Sequence, residues 1–196
     1  MPAMPWTVIL LLGLALVFGF MNGFHDSANI VATMIASRAL TGRQALTITA
    51  LAEFAGPFLF GVAVATTIGN EVLNSEQISM DIVLAALMAA IAWSIFTWWL
   101  GLPSSSSHAL IGGLIGAAVV ESGVGVVRLA GLGKVLLALA ISPVLGLIAG
   151  YVVCKLILFL ARNATPKING FFKRGQVVTG LALALSHGAN DGQKTM

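Results

Sequence analysis

The chain has 196 residues, of which 58% are hydrophobic and 9% charged, against about 25% charged in a soluble domain. This composition excludes an ordinary soluble domain and points to a membrane protein. The formal net charge is +3 and there is one cysteine; no intrachain disulfide can form, and no basic run with interleaved aromatics suggests nucleic acid.

A spanning helix needs roughly 20 apolar residues. Trp6–Met21 is apolar but short, and it lacks a basic leader and a small-residue cleavage site, so it reads as a retained segment rather than a signal peptide. The polar stretch NGFHDSAN follows at 22–29, and a second short apolar run, Ile30–Leu40, follows that. Residues 6–40 as one helix would measure about 52 Å, too long for one straight crossing, and the polar stretch falls near the middle. The clear spans come next: Ala45–Ile68, Ile82–Leu100 and Val135–Leu160, with the shorter Ala109–Val127 between the last two. Trp98 and Trp99 close the second span and suit an aromatic belt. Val177–Leu185 is a final short run, and SHGANDGQKTM follows it.

Charge orients these segments. Arg38 and Arg43 lie before the first clear span, and Arg162, Lys167, Lys173 and Arg174 lie before Val177. Glu71, Glu76 and Asp81 fill the loop between. The bias of basic loops toward the cytoplasm puts the two basic loops inside and the acidic loop outside. Arg128 and Lys134 run mildly against the rule. The expected domains are an N-terminal transmembrane repeat, 1–160, a basic cytoplasmic loop, 161–176, and the start of a second repeat, 177–196.

Gly23-Phe24-His25-Asp26 aligns with Gly188-Ala189-Asn190-Asp191, each after an apolar half-segment. Paired interruptions of this kind mark the site of an inverted-repeat transporter. The expectation is an all-α polytopic membrane protein with broken helices and an external N-terminus. Backbone that leaves a helix at membrane depth must be buried or line a wet cavity. A helix restarting there offers N–H groups to an anion. Asp26 and Asp191 cost a few kcal/mol at mid-bilayer unless paired or wet, so a cation or proton is expected beside them. The alternative is that both acids sit in surface loops between ordinary spans.

Three further features stand out. Gly101-Leu102-Pro103 leads into four hydroxyls, Ser104, Ser105, Ser106 and Ser107, then His108. This stretch can open a helix with a serine cap, and it can equally coordinate an oxyanion or sodium. Glu53 is the one acid inside Ala45–Ile68, suited either to a proton or cation role or to a hydrogen bond with a neighbouring helix; Pro57 implies a kink. Gly112-xxx-Gly116 and Gly146-xxx-Gly150 read as helix-packing signatures, and Lys155 as a snorkelling side chain.

The stretches NGFHDSANIVATMIASRAL (22–40), AEFAGP (52–57), GLPSSSSHALIGG (101–113) and SHGANDGQK (186–194) resemble the inorganic phosphate transporter family of secondary carriers. The resemblance implies two inverted repeats, with phosphate and coupling cations between them. It implies a substrate site of Asp26, Asn29, Ser104, Ser105, Ser106, Ser107, Asn190 and Asp191, with Gln193, Lys194 and Thr195 following the second motif. Coupling would fall to His25, Asp26, Glu53 and Asp191. FHDSAN and GANDGQK depart from the pattern of many sodium-coupled members and look like the bacterial low-affinity branch thought to be proton-coupled. A titratable His25 beside Asp26 fits that branch. By the same resemblance the chain reads as an N-terminal fragment that would not transport alone.

The expected function is alternating-access symport of inorganic phosphate, alone or as a metal–phosphate complex, at the inner membrane. No enzyme activity is expected, and no cofactor or resident metal beyond coupling H+ or Na+. The bilayer is the main partner, with a homodimer as one mode of assembly. Sodium coupling and a sulfate permease of the same architecture stay open. So do a membrane metal-binding or enzymatic protein with His25, Asp26, His108 and His187 as ligands, which no metal-binding spacing supports, and a non-transporting scaffold or truncated regulator.

Overall fold

The structure is a computed structural model that describes residues 5–60 and 78–194. It is helical throughout: α1 (Trp6–Ala36), α2 (Gly42–Phe60), α3 (Met80–Trp99), α4 (Ser106–Ser122), α5 (Leu129–Leu160) and α6 (Asn169–Lys194). Short 3-10 turns at Val124–Val126 and Pro166–Ile168 precede α5 and α6. Three of the helices, α1, α3 and α5, are long and apolar enough to cross a membrane by themselves. The chain is thus an all-α membrane protein. Glu71, Glu76 and the end of the Ala45–Ile68 span lie outside the described residues.

The ends of the helices follow from short polar side chains. Thr41 and Gln44 form a reciprocal cap on α2: the Gln44 amide donates to Thr41 Oγ1 over 3.4 Å, and the Thr41 amide donates to Gln44 Oε1 over 3.1 Å. Ser79 accepts the Ile82 amide at the start of α3. Ser105 accepts the His108 amide at the start of α4, as the serine run predicts, and Gly123 at φ 81° ends that helix. Arg38 takes a left-handed φ of 54° to end α1, a rare conformation outside glycine.

The expected break in α1 does not exist. The helix runs from Trp6 to Ala36 straight through NGFHDSAN. Its roughly 46 Å length exceeds the hydrocarbon core of about 30 Å. The second break is absent too, since α6 runs through SHGAND to Lys194. The physical reason is the same in both. Neither motif contains proline, and a helical glycine costs only about 1 kcal/mol. Asn22, His25 and Asp26 in the first motif and His187 and Asp191 in the second find partners on neighbouring helices, so the backbone has no need to open. The N-terminal N–H groups expected at the breaks are therefore spent inside the helices.

The fold is two helix pairs joined by α1. Its first half packs on the α3–α4 pair, where Phe18 is buried with Leu87, Ala90 and Leu110. Its second half packs on the α2–α6 pair, where Ile30 meets Ala52 and Ala184, and Val31 and Met34 meet Ala45. The polar residues 22–26 sit where α1 passes from one pair to the other. Among the described residues, helix α5 is buried at Gly131, and its Val135 packs against the Ile82, Ala118 and Val126 cluster.

Glycines set the spacing within each pair, but not the expected ones. A Cβ on Gly56 would meet the α6 backbone at Leu185 and Ala189, and one on Gly188 would meet the Glu53 backbone. On the other pair, a Cβ on Gly113 would stand 2.8 Å from the Ala86 carbonyl. Gly112, Gly116, Gly146 and Gly150 have nothing within 4 Å among the described residues. The two GxxxG stretches are therefore corrected: neither brings a glycine against another helix among the described residues. Close approach depends on which side of the helix a glycine occupies, and spacing alone does not set that.

Gly113→Ala should push α4 off α3 and cost about 1–3 kcal/mol, read as a lower unfolding temperature by tryptophan fluorescence in detergent. Gly112→Ala, facing open space, should leave that temperature unchanged or slightly raised.

Candidate functional site

Five residues on three helices build the site. Asn22 and Asp26 are four residues apart on α1, and His187 and Asp191 are four residues apart on α6, so each pair shares one helix face. Glu53 comes from α2. The contact of Gly56 and Gly188 brings the α2 and α6 backbones together at this level.

The His187 ring is the centre. Its Nδ1 lies 3.1 Å from Glu53 Oε1. Its Nε2 lies 3.1 Å from Asp191 Oδ2 and 3.5 Å from Asp26 Oδ2. Asn22, 5% exposed, donates its side-chain N–H to Asp191 Oδ2. A neutral imidazole donates from one nitrogen only; the imidazolium donates from both. With carboxylates on both sides of the ring, a protonated ring has an acceptor within reach of each nitrogen. With the three carboxylates ionised and the ring protonated, its charge is −2, a sink for a further cation. Ligand atoms of Asp26, His187 and Asp191 lie within 4.8 Å of one another, close enough for one metal ion. The cluster opens to a cleft of about 310 Å³ lined also by Phe18, Phe54, Pro57 and Phe58.

A second polar site adjoins it on the other side of α1. Ser104 and Ser106, at the start of α4, line a nook of about 10 Å³ with Asn22, His25, Asp26 and Ser94. The nook fits one water-sized group. Trp93 Nε1 donates to Ser104 Oγ over 3.0 Å, which ties the serine run to α3. Asn22 and Asp26 belong to both sites, and α1 is the wall between them.

Residues 22–167 match the phosphate transporter family. The chain belongs to that family. It is 46% identical over 192 residues to a probable low-affinity inorganic phosphate transporter of Streptomyces halstedii, covering 95% of this chain and 89% of that one. A protein of the same description from Bacillus subtilis is 38% identical, with 96% of this chain and 57% of the relative covered. The low-affinity inorganic phosphate transporter PitA of Escherichia coli is 37% identical, with 95% and 44% covered. The chain thus spans about half the length of the latter two relatives. Among solved structures, one described as the sodium-dependent phosphate transporter superposes with a TM-score of 0.86 at 26% identity, covering 96% of this chain and 65% of that one. The family and these relatives are transporters, not enzymes.

Of the residues singled out in this family member's sequence, the structure brings Asp26, Glu53 and Asp191 together around His187. His25 points elsewhere, its Nε2 lying 3.0 Å from the Ser94 carbonyl. Ser104 and Ser106 line the nook, Ser105 caps α4, and Ser107 is half-buried in the first turn. Gln193 is buried. Asn29 and Asn190 are exposed, away from the cluster. Lys194 closes α6, and Thr195 lies outside the described residues. His108 lines a separate cleft between α3 and α4.

Two residues of the cluster escaped the substrate and coupling sets: Asn22 and His187. The available signal was the four-residue step from each to the following aspartate. A motif taken as a helix break hides a helical step.

His187→Ala should leave three carboxylates facing one another and lower stability by about 1–3 kcal/mol. Adding Glu53→Gln should recover part of that loss, so the double-mutant cycle from thermal unfolding should be non-additive. Additive losses would show that the ring and Glu53 do not interact.

Proposed function

We propose that this chain forms part of a secondary transporter that carries inorganic phosphate across the bacterial inner membrane in symport with protons. The observation that carries the reading is the position of Asp26, shared by the carboxylate–His187 cluster and the serine-lined nook at the start of α4. A helix N-terminus with hydroxyls beside it is suited to an oxyanion. An ionised Asp26 at the same place repels that anion. Neutralising Asp26, by a proton passed from the His187 cluster, removes the repulsion. Substrate and coupling ion then help each other through one shared carboxylate, and the coupling is reciprocal.

Phosphate near neutral pH can donate a hydrogen bond, and sulfate cannot. The carbonyl oxygen of a protonated Asp26 can still accept that hydrogen bond, which favours phosphate. The nook is too small for phosphate as it stands, so binding goes with a widening between α1 and α4. In alternating access, one repeat rocks against the other around the site. The equal four-residue steps Asn22–Asp26 on α1 and His187–Asp191 on α6 support an inverted repeat. The basic stretch 161–176 and Arg38 and Arg43 favour the cytoplasmic side for that end of the molecule, with the N-terminus outside. The grouping of Asp26, His187 and Asp191 within 4.8 Å supports carriage of phosphate with a divalent metal.

A second reading, sodium as the coupling ion, is favoured by the similarity to a structure described as a sodium-dependent phosphate transporter. The two separate in one assay. The complete gene product, expressed in a bacterium lacking phosphate uptake, should take up labelled phosphate faster as the external pH falls, with no response to sodium. Asp26→Asn should remove that pH response, and His187→Gln should blunt it. Uptake that follows sodium at fixed pH would move the coupling ion. Uptake of sulfate in place of phosphate would sink the substrate assignment.

A further inference from the structure

At the end of the molecule away from the site, two basic stretches meet. Residues 37–44 carry Arg38 and Arg43, and residues 162–176 carry Arg162, Lys167, Lys173 and Arg174, with no Asp or Glu in either stretch. Lys173 Nζ donates to the Arg38 carbonyl over 3.2 Å, which joins the stretches into one surface. Arg38, Arg43, Arg162, Lys167 and Arg174 are exposed. Apolar groups stand among them. Phe171 is 71% exposed and Ile168 39%, Phe171 meets Phe172 edge to face at 5.8 Å, and Arg162 lies over the Phe159 ring at 4.7 Å. Phosphate transport by the site above uses none of these groups.

Exposed Phe171 and Ile168 standing between cations give the stretch the mixed composition of an interfacial segment. At a membrane boundary the pattern has a clear fit: aromatic and aliphatic groups enter the headgroup–acyl region while cations meet lipid phosphates. The stretch follows α5, a membrane-length helix, and opens α6, so it lies at that boundary by connectivity. We propose that residues 162–176, with Arg38 and Arg43, form a binding surface for anionic phospholipid headgroups. Because α6 is one helix from Asn169 to Lys194, a lipid held at its start sets the depth of His187 and Asp191. Bound anionic lipid thereby positions the site.

The test uses the purified protein in detergent with equal phosphatidylglycerol and phosphatidylcholine, and counts retained lipids by native mass spectrometry. Phosphatidylglycerol should be kept in preference, and Lys167→Gln with Arg174→Gln should cut that preference at least about fivefold. This pair leaves the Lys173–Arg38 contact intact. Arg128→Gln with Lys134→Gln, at the start of α5, should not change the preference. An equal loss in both pairs would overturn the assignment to this surface. Displacement of the lipid by inorganic phosphate at constant ionic strength would also overturn it, and would identify a free-anion site instead. A second measurement is independent of lipid counting. A spin label at Phe171→Cys, in a Cys154→Ser background, should sit at headgroup depth in phosphatidylglycerol vesicles by its oxygen and nickel-chelate accessibility. A fully aqueous label would overturn the proposal and point to a soluble acidic partner.

Discussion

The structure depends on one imidazole. His187 holds carboxylates from α1, α2 and α6 within hydrogen-bonding reach of a single ring. Three ionised acids brought this close would repel one another and drive the helices apart without a partner between them. With the ring between them, the same acids tie three helices together. The close glycine contact of α2 with α6 makes this geometry reachable, since a larger residue at Gly56 or Gly188 would hold Glu53 away from the ring.

The same arrangement explains why a polar stretch can sit inside a long apolar helix. Asn22 and Asp26 lie where α1 leaves one helix pair and joins the other, so each has polar company across the interface. The apolar halves of α1 serve packing on either side, with Phe18 in one layer and Ile30 and Met34 in the other. Packing and chemistry divide along the length of one helix. A shift of α1 relative to either pair would change both polar sites together.

Much of the protein is legible in its sequence. Composition and apolar run length mark a membrane protein, because a bilayer admits few charges and demands long helices. Asp26, Glu53 and Asp191 stand out because an acid in an apolar run is costly without a partner. Ser105 is readable as part of a cap because serine run and helix start coincide. The motif stretches also carry the family resemblance, which the match over residues 22–167 establishes.

The tertiary structure alone decided the rest. It decided that both polar motifs stay helical, because partners on adjacent helices cost less than opening the backbone. It selected Gly56, Gly113 and Gly188 over the GxxxG pairs, because contact depends on the direction a helix face points. It turned His25 toward Ser94 and placed His187 among the acids, although each histidine has an aspartate within four residues in the sequence. A sequence states which groups are chemically able to meet; rotation and separation of helices, set by packing around α1, determine which do.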